Sequence, residues 1–148
     1  GLITEAGHVV GVLPTIEGKA EEIRADLVVG ADGRHSTVRE AAGFRPVVIG
    51  APMDVLWFRL SHRPDDTAET MGRFDRGSIL VMLDRGDYWQ CAYVIAKGSA
   101  ETLKAAGIEK FRERIVKLMP FLAGRVHELA TVDDLKLLTV GAHRVEKW

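Results

Sequence analysis

Within ten residues, from Gly30 to Arg39, the chain places a carboxylate (Asp32), a turn glycine (Gly33), a hydroxyl (Ser36) and a guanidinium (Arg39). The apolar run Leu27-Val28-Val29 precedes them, and a short helical pattern ending at Gly43 follows. Read physically, this is a strand, an Asp-Gly turn and a helix. Gly33 suits the turn because glycine takes positive φ without steric cost. Ser36 is placed to cap the helix, its oxygen accepting a first-turn N–H. A helix N-terminus reached directly from a buried strand is suited to an anion such as a pyrophosphate.

A second set of chemistry-bearing residues lies in Trp57-Phe58-Arg59 and Asp87-Tyr88-Trp89-Gln90. Trp57, Arg59, Tyr88 and Gln90 are the candidates for an aromatic-lined cavity with a few oriented polar groups. Arg59 can clamp a carboxylate through its planar fork. Gln90 or Tyr88 can orient a hydroxyl. Aromatic residues are equally favoured on half-buried strands for packing alone. Alternation leaves open whether Trp89 and Tyr93, or Tyr88 and Gln90, face such a cavity.

Other chemistries find little support. The five histidines (His8, His35, His62, His127 and His143) show no ligand spacing and none pairs with Cys91, so no metal site is expected. Cys91 falls in mid-strand and reads as a buried, inert thiol. Asp65-Asp66 and Asp133-Asp134 are adjacent acids, and neighbours on an extended chain point apart, so neither pair makes an acid–base dyad. No nucleophile-elbow signature accompanies a Ser-His-Asp set.

The stretch from Asp26 to Arg39 resembles the Asp-Gly motif of the FAD-dependent aromatic hydroxylases, the family of p-hydroxybenzoate hydroxylase. The match falls on Asp32, Gly33, Ser36 and Arg39, with an apolar run before them. The resemblance implies that these four residues lie at the FAD, and that NAD(P)H serves as co-substrate. It further implies a monooxygenase that hydroxylates a small aromatic substrate. Related flavin chemistry (epoxidation, halogenation) or a non-catalytic binding module are the alternatives. The family's opening G-x-G-x-x-G fingerprint is missing from these residues, as is its later Gly-Asp motif. The expectation is therefore the middle of a larger protein, with no tight FAD binding by this stretch alone.

The elements that must hold these residues follow from pattern. At 148 residues and 47% hydrophobic, the chain can bury a core. A net charge of −1, with Lys and Arg scattered, points to neither nucleic acid nor an anionic membrane as partner. A single cysteine fits a reducing compartment, with the cytoplasm as default. Residues 8–13 and 22–30 flank a turn at Glu17-Gly18-Lys19, and Leu2-Ile3 reads as the stub of a strand whose partner is missing. In 55–60, Leu56, Phe58 and Leu60 share one face, and Val55, Trp57 and Arg59 the other. Ile79–Asp84 and Tyr88–Ala96 read as a hairpin, with a short strand at 73–75 before it. Ile108, Phe111, Ile115, Leu118 and Met119 recur at helical spacing until Pro120 ends the helix. Residues 134–140 read as a last strand.

The expected fold is α+β, a largely antiparallel mixed sheet with helices packed on one face. Residues 1–46 correspond to part of an FAD-binding domain, 47–140 to a substrate-binding sheet domain, and 141–148 to a return segment. Unpaired sheet edges would favour self-association into a homo-oligomer.

Overall fold

The structure, a computed structural model, describes residues 1–146, so the last two residues of the expected return segment lie outside it. The chain divides into two compact units, Gly1–Ile49 with the segment beginning at His143, and Gly50–Ala142.

In the first unit, β1 (Leu2–Glu5) and β2 (His8–Val12) form an antiparallel hairpin. Leu2-Ile3 is thus no stub with a missing partner, because β2 pairs with it within the chain. A smaller hairpin of β3 (Thr15–Ile16) and β4 (Lys19–Ala20) carries the expected turn at Glu17-Gly18. The chain then returns as β5 (Ile23–Arg24) beside β2. Gly11 permits that closure: a Cβ there would sit 2.3 Å from the Ile23 carbonyl oxygen.

The expected strand at Leu27-Val28-Val29 is not one. A strand needs a neighbour's ladder, and these residues have none among those described. Leu27 and Val29 are accordingly 77% and 74% exposed. Helix α1 (Thr37–Ala41) follows, capped by Ser36 as expected. β6 (Val47–Val48) leads out of the unit.

The second unit is a five-stranded sheet. Its strands are β7 (Met53–Ser61), β8 (Met71–Asp75), β9 (Ser78–Asp84), β10 (Tyr88–Ala96) and β11 (Lys136–Leu138), in the order β11-β7-β10-β9-β8. Every pairing is antiparallel, where some mixture was expected, because hairpins join β8 to β9 and β9 to β10. Leu56, Phe58 and Leu60 lie on the buried face, in register with Tyr93, Cys91 and Trp89 of β10. Leu80 and Met82 of β9 complete this face.

Helices α2 (Ala100–Ala105) and α3 (Ile108–Leu118) follow β10. Helix α3 turns Phe111, Ile115 and Leu118 towards the sheet core. The Phe111 ring meets Phe58 at 5.4 Å and Tyr93 at 5.3 Å, both edge to face. Each such large apolar side chain contributes about 1.5–3 kcal/mol by leaving water. Helix α2 was not foreseen, since six residues are too few to display a helical period. The expected strand over 134–140 shrinks to β11, because Asp133 and Asp134 belong to a 3₁₀ turn capped by Thr131. A closing strand, β12 (His143–Arg144), pairs with β6 in the first unit. No described helix is long and apolar enough to cross a membrane.

Candidate functional site

The Asp-Gly segment is organised around the start of α1. Gly33 has φ +89°, and a side chain there would meet open space, so it is the backbone conformation that selects glycine. Asp32 Oδ2 accepts from the Val38 N–H at 3.1 Å, and Ser36 Oγ accepts from the Arg39 N–H at 2.9 Å. The Ser36 hydroxyl, followed by the Val38 N–H, holds the Asp32 carboxyl below the usual carboxylate range. Arg39 Nη2 donates to the Arg34 carbonyl at 2.9 Å, closing the turn from the other side.

The four expected residues therefore gather at one turn. The anion cradle expected there does not form, because the Val38 and Arg39 N–H groups already bind the chain's own acceptors. Asp32 itself places negative charge at the positive end of the helix. What the turn offers a ligand is an exposed acceptor carboxylate beside a glycine. Adjacent to it, His35, Arg39, Glu40, Phe44 and Arg45 line a cleft of about 550 Å³.

In the second unit, helix packing decides which residues face outward. Trp89 and Tyr93 are in the core, while Trp57, Arg59, Tyr88 and Gln90 share the opposite face of the sheet. Trp57, Arg59 and Gln90 line a cleft of about 550 Å³ with Lys136, Glu128 and Asp134. Tyr88 does not line it; its ring seats the Arg59 guanidinium at 4.5 Å. Lys136 is in register with Trp57, which puts both side chains on this face. Lys136 was not among the expected residues, since the strand carrying it was placed only loosely.

Sequence reading also missed a buried ion pair at one end of the sheet. Asp66 and Arg125 meet at two points, and the Trp89 indole N–H donates to Asp66 at 2.9 Å. The His62 ring lies against Trp89 at 4.7 Å. Arg125 Nη1 also donates to the Ser61 carbonyl, while Glu128 accepts from both the Ser61 N–H and its hydroxyl. These side chains take up the Ser61 groups beyond the point where β11 leaves β7. Among the described residues, no group of three or more side chains is arranged to hold a metal ion.

Three comparisons bear on this arrangement. The family described as an FAD binding domain matches residues 4–148. The chain is 33% identical over 150 aligned positions to 6-methylpretetramide 4-monooxygenase of Streptomyces rimosus, covering all of this chain and 36% of that protein. It thus spans about a third of that relative's length. Its fold is similar to that of pqsL, described as a probable FAD-dependent monooxygenase from Pseudomonas aeruginosa. That match has a TM-score of 0.73 at 18% identity, over 95% of this chain and 40% of that one. A looser match is CmlS, a flavin-dependent halogenase, with a TM-score of 0.51 at 10% identity over 88% of this chain and 24% of that one. With the family matching nearly end to end, and with the Asp-Gly turn formed by the residues that suggested it, the chain belongs to the FAD binding domain family of the FAD-dependent hydroxylases.

Proposed function

We propose that this chain is part of an FAD-dependent monooxygenase that uses NAD(P)H and hydroxylates a small aromatic substrate. The observation that carries this reading is the 33% identity to a monooxygenase along the whole chain. In this reading the first unit contributes to the FAD-binding domain, and the second supplies the substrate wall.

The Asp-Gly turn fits a flavin in one respect. An exposed acceptor carboxylate beside an uncovered glycine suits the hydroxyl-bearing sugar chain of FAD better than its pyrophosphate, because the Val38 and Arg39 N–H groups at the start of α1 are already bound by Asp32 and Ser36. Asp32 and Gly33 would meet the cofactor, with Ser36 and Arg39 holding the turn in shape. Bound FAD would supply the activation of dioxygen. This chain's own residues would bind and orient the substrate and keep water from it. Trp57 offers an aromatic surface, and Arg59 and Gln90 offer hydrogen-bond donors.

The fold alone does not choose among flavin chemistries, since a halogenase shares it. The test is to express the polypeptide encoded around this segment and supply NADH or NADPH with isotopic dioxygen. One labelled oxygen atom in an aromatic product, with nicotinamide oxidation, supports the reading. Nicotinamide oxidation without labelled product, or halide incorporation instead, overturns it.

A further inference from the structure

Strand β8 is one edge of the five-stranded sheet, and no described strand pairs with its outer side. Gly72, Arg73, Phe74 and Asp75 are all exposed along it, Phe74 by 71%. The opposite edge is guarded in the usual way, since β11 has only three residues and opens with a lysine. β8 has five residues and carries no lysine or proline.

Asp75 pairs with Ser78 across the two-residue turn Arg76-Gly77. Hydrogen-bonded and non-hydrogen-bonded pairs alternate along an antiparallel ladder, so Met71, Arg73 and Asp75 turn their N–H and C=O groups towards β9. Gly72 and Phe74 turn theirs outward, to the open edge. A second β8 added antiparallel matches that phase when the twofold axis passes through a residue rather than between two.

The axis can pass through Gly72, Arg73 or Phe74 and still set strand against strand, and charge chooses among them. Through Arg73, it places two guanidinium groups opposite each other. Through Gly72, it gives Arg73 only Met71. Through Phe74, it places Arg73 opposite Asp75 twice, at non-hydrogen-bonded positions where side chains lie closest. Arg73 and Asp75 have no ion pair among the described residues, and Asp75 Oδ1 accepts only the neighbouring Arg76 N–H. Gly72 leaves room for the Phe74 ring, because a Cβ there would sit 3.2 Å from Phe74 Cε2.

We propose that β8 is the interface of a twofold homodimer, in which two copies join their sheets antiparallel about Phe74. The Phe74 N–H and C=O groups of the two copies bind each other, the two rings face one another across the axis, and an Arg73–Asp75 pair flanks them on each side.

Sedimentation velocity of the polypeptide encoded around this segment reads the association, at concentrations up to about 0.1 mM, where a micromolar complex is largely formed. A concentration-dependent dimer is expected. Arg73→Asp sets an aspartate opposite Asp75, and Asp75→Arg sets an arginine opposite Arg73. Each variant alone should therefore lose about tenfold or more in self-association. Mixed in equal amounts, the two variants should dimerise with each other, since both cross-strand pairs are then of opposite sign. That rescue also shows that both variants are folded. A parent polypeptide that stays monomeric, as when a segment of its own covers β8, overturns the proposal. So does a dimer that survives either substitution, or a mixture of the two variants that fails to associate.

Discussion

Asp66 and Arg125, 59 residues apart in sequence, form a two-point ion pair in which Arg125 Nη2 lies 2.6 Å from Asp66 Oδ1 while Nη1 binds Oδ2. Only 6% of the Asp66 side chain and 4% of the Arg125 side chain are exposed. The pair ties the loop after β7 to the 3₁₀ turns after α3, and thereby orders the end of the sheet beside Ser61. Arg125 hydrogen bonding, opposed by burial, holds the Asp66 carboxyl well below the usual carboxylate range. A buried pair broken on one side leaves an uncompensated charge, so Asp66→Asn should cost about 3 kcal/mol or more. Arg125→Lys keeps the charge but loses the fork, and should cost less, about 1–2 kcal/mol. Because the folded pKa is depressed, this stabilisation is fully present above about pH 4 and is lost as pH falls towards the folded value. Denaturant melts of the three proteins at neutral pH check the order, and equal midpoints would refute it.

A second buried carboxylate, Asp54, secures the far end of β7. It accepts from Lys97 Nζ at 2.7 Å, the Gly98 N–H at 2.9 Å and the Val140 N–H at 3.1 Å. Lys97 Nζ also donates to the Val140 carbonyl at 2.6 Å. The Gly98 N–H, followed by Lys97, lowers the Asp54 pKa, so its contribution holds above the ordinary carboxylate range and fades as pH falls below it. Asp54→Asn leaves one acceptor oxygen for work shared between two. Hydrogen exchange at Gly98 and Val140 should quicken by about tenfold at neutral pH, the loss of one hydrogen bond to a charged group. Unchanged exchange at both amides would show that Asp54 is not what fixes this segment.

Periodicity carried much of the fold and less of the site. Leu56, Phe58 and Leu60 declared a common face, and the hairpin at 84–87 paired β9 with β10. Alternation separates Trp89 from Gln90 but cannot say which is inside; α3 decides by packing on the Trp89 side. The apolar run at 27–29 looked like a strand because its composition suits one, yet a ladder needs a partner that composition does not reveal. Asp66 and Arg125 left no local signal, since their pairing depends on the chain's return across the sheet end. The Asp-Gly turn was legible because its parts are adjacent. What could not be read was that Asp32 and Ser36 would take up the helix's own donors.

Cys91 lies on the buried face of β10, fully inaccessible, and burial pushes its thiol up to about 12. Only the thiolate reacts appreciably, and the folded state offers neither the thiolate nor a path for a reagent. A disulfide exchange reagent at neutral pH should therefore label Cys91 only through opening of the sheet, and labelling should accelerate in denaturant with the unfolding transition. Prompt stoichiometric labelling of the native chain would contradict this placement.

Asp32 separates a structural role from a ligand role by substitution. Asp32→Ala removes the acceptor of the Val38 N–H and the charge at the start of α1, and should lower the melting temperature of the first unit. Asp32→Asn keeps one carbonyl oxygen for Val38, so the turn should hold, but it turns an outward acceptor into an amide donor. If the exposed side of the carboxylate receives hydroxyls of FAD, Asn at this position should weaken flavin binding by about tenfold, a charged hydrogen bond's worth, with the melting temperature little changed. Gly33→Ala tests the neighbouring position: at φ +89° an alanine is strained by about 1 kcal/mol although its methyl has room, so it should destabilise the turn. Flavin fluorescence titration of the encoded polypeptide, beside thermal melts of the same variants, reads both quantities. Flavin affinity that falls for Asp32→Ala but not for Asp32→Asn would assign Asp32 to the turn alone.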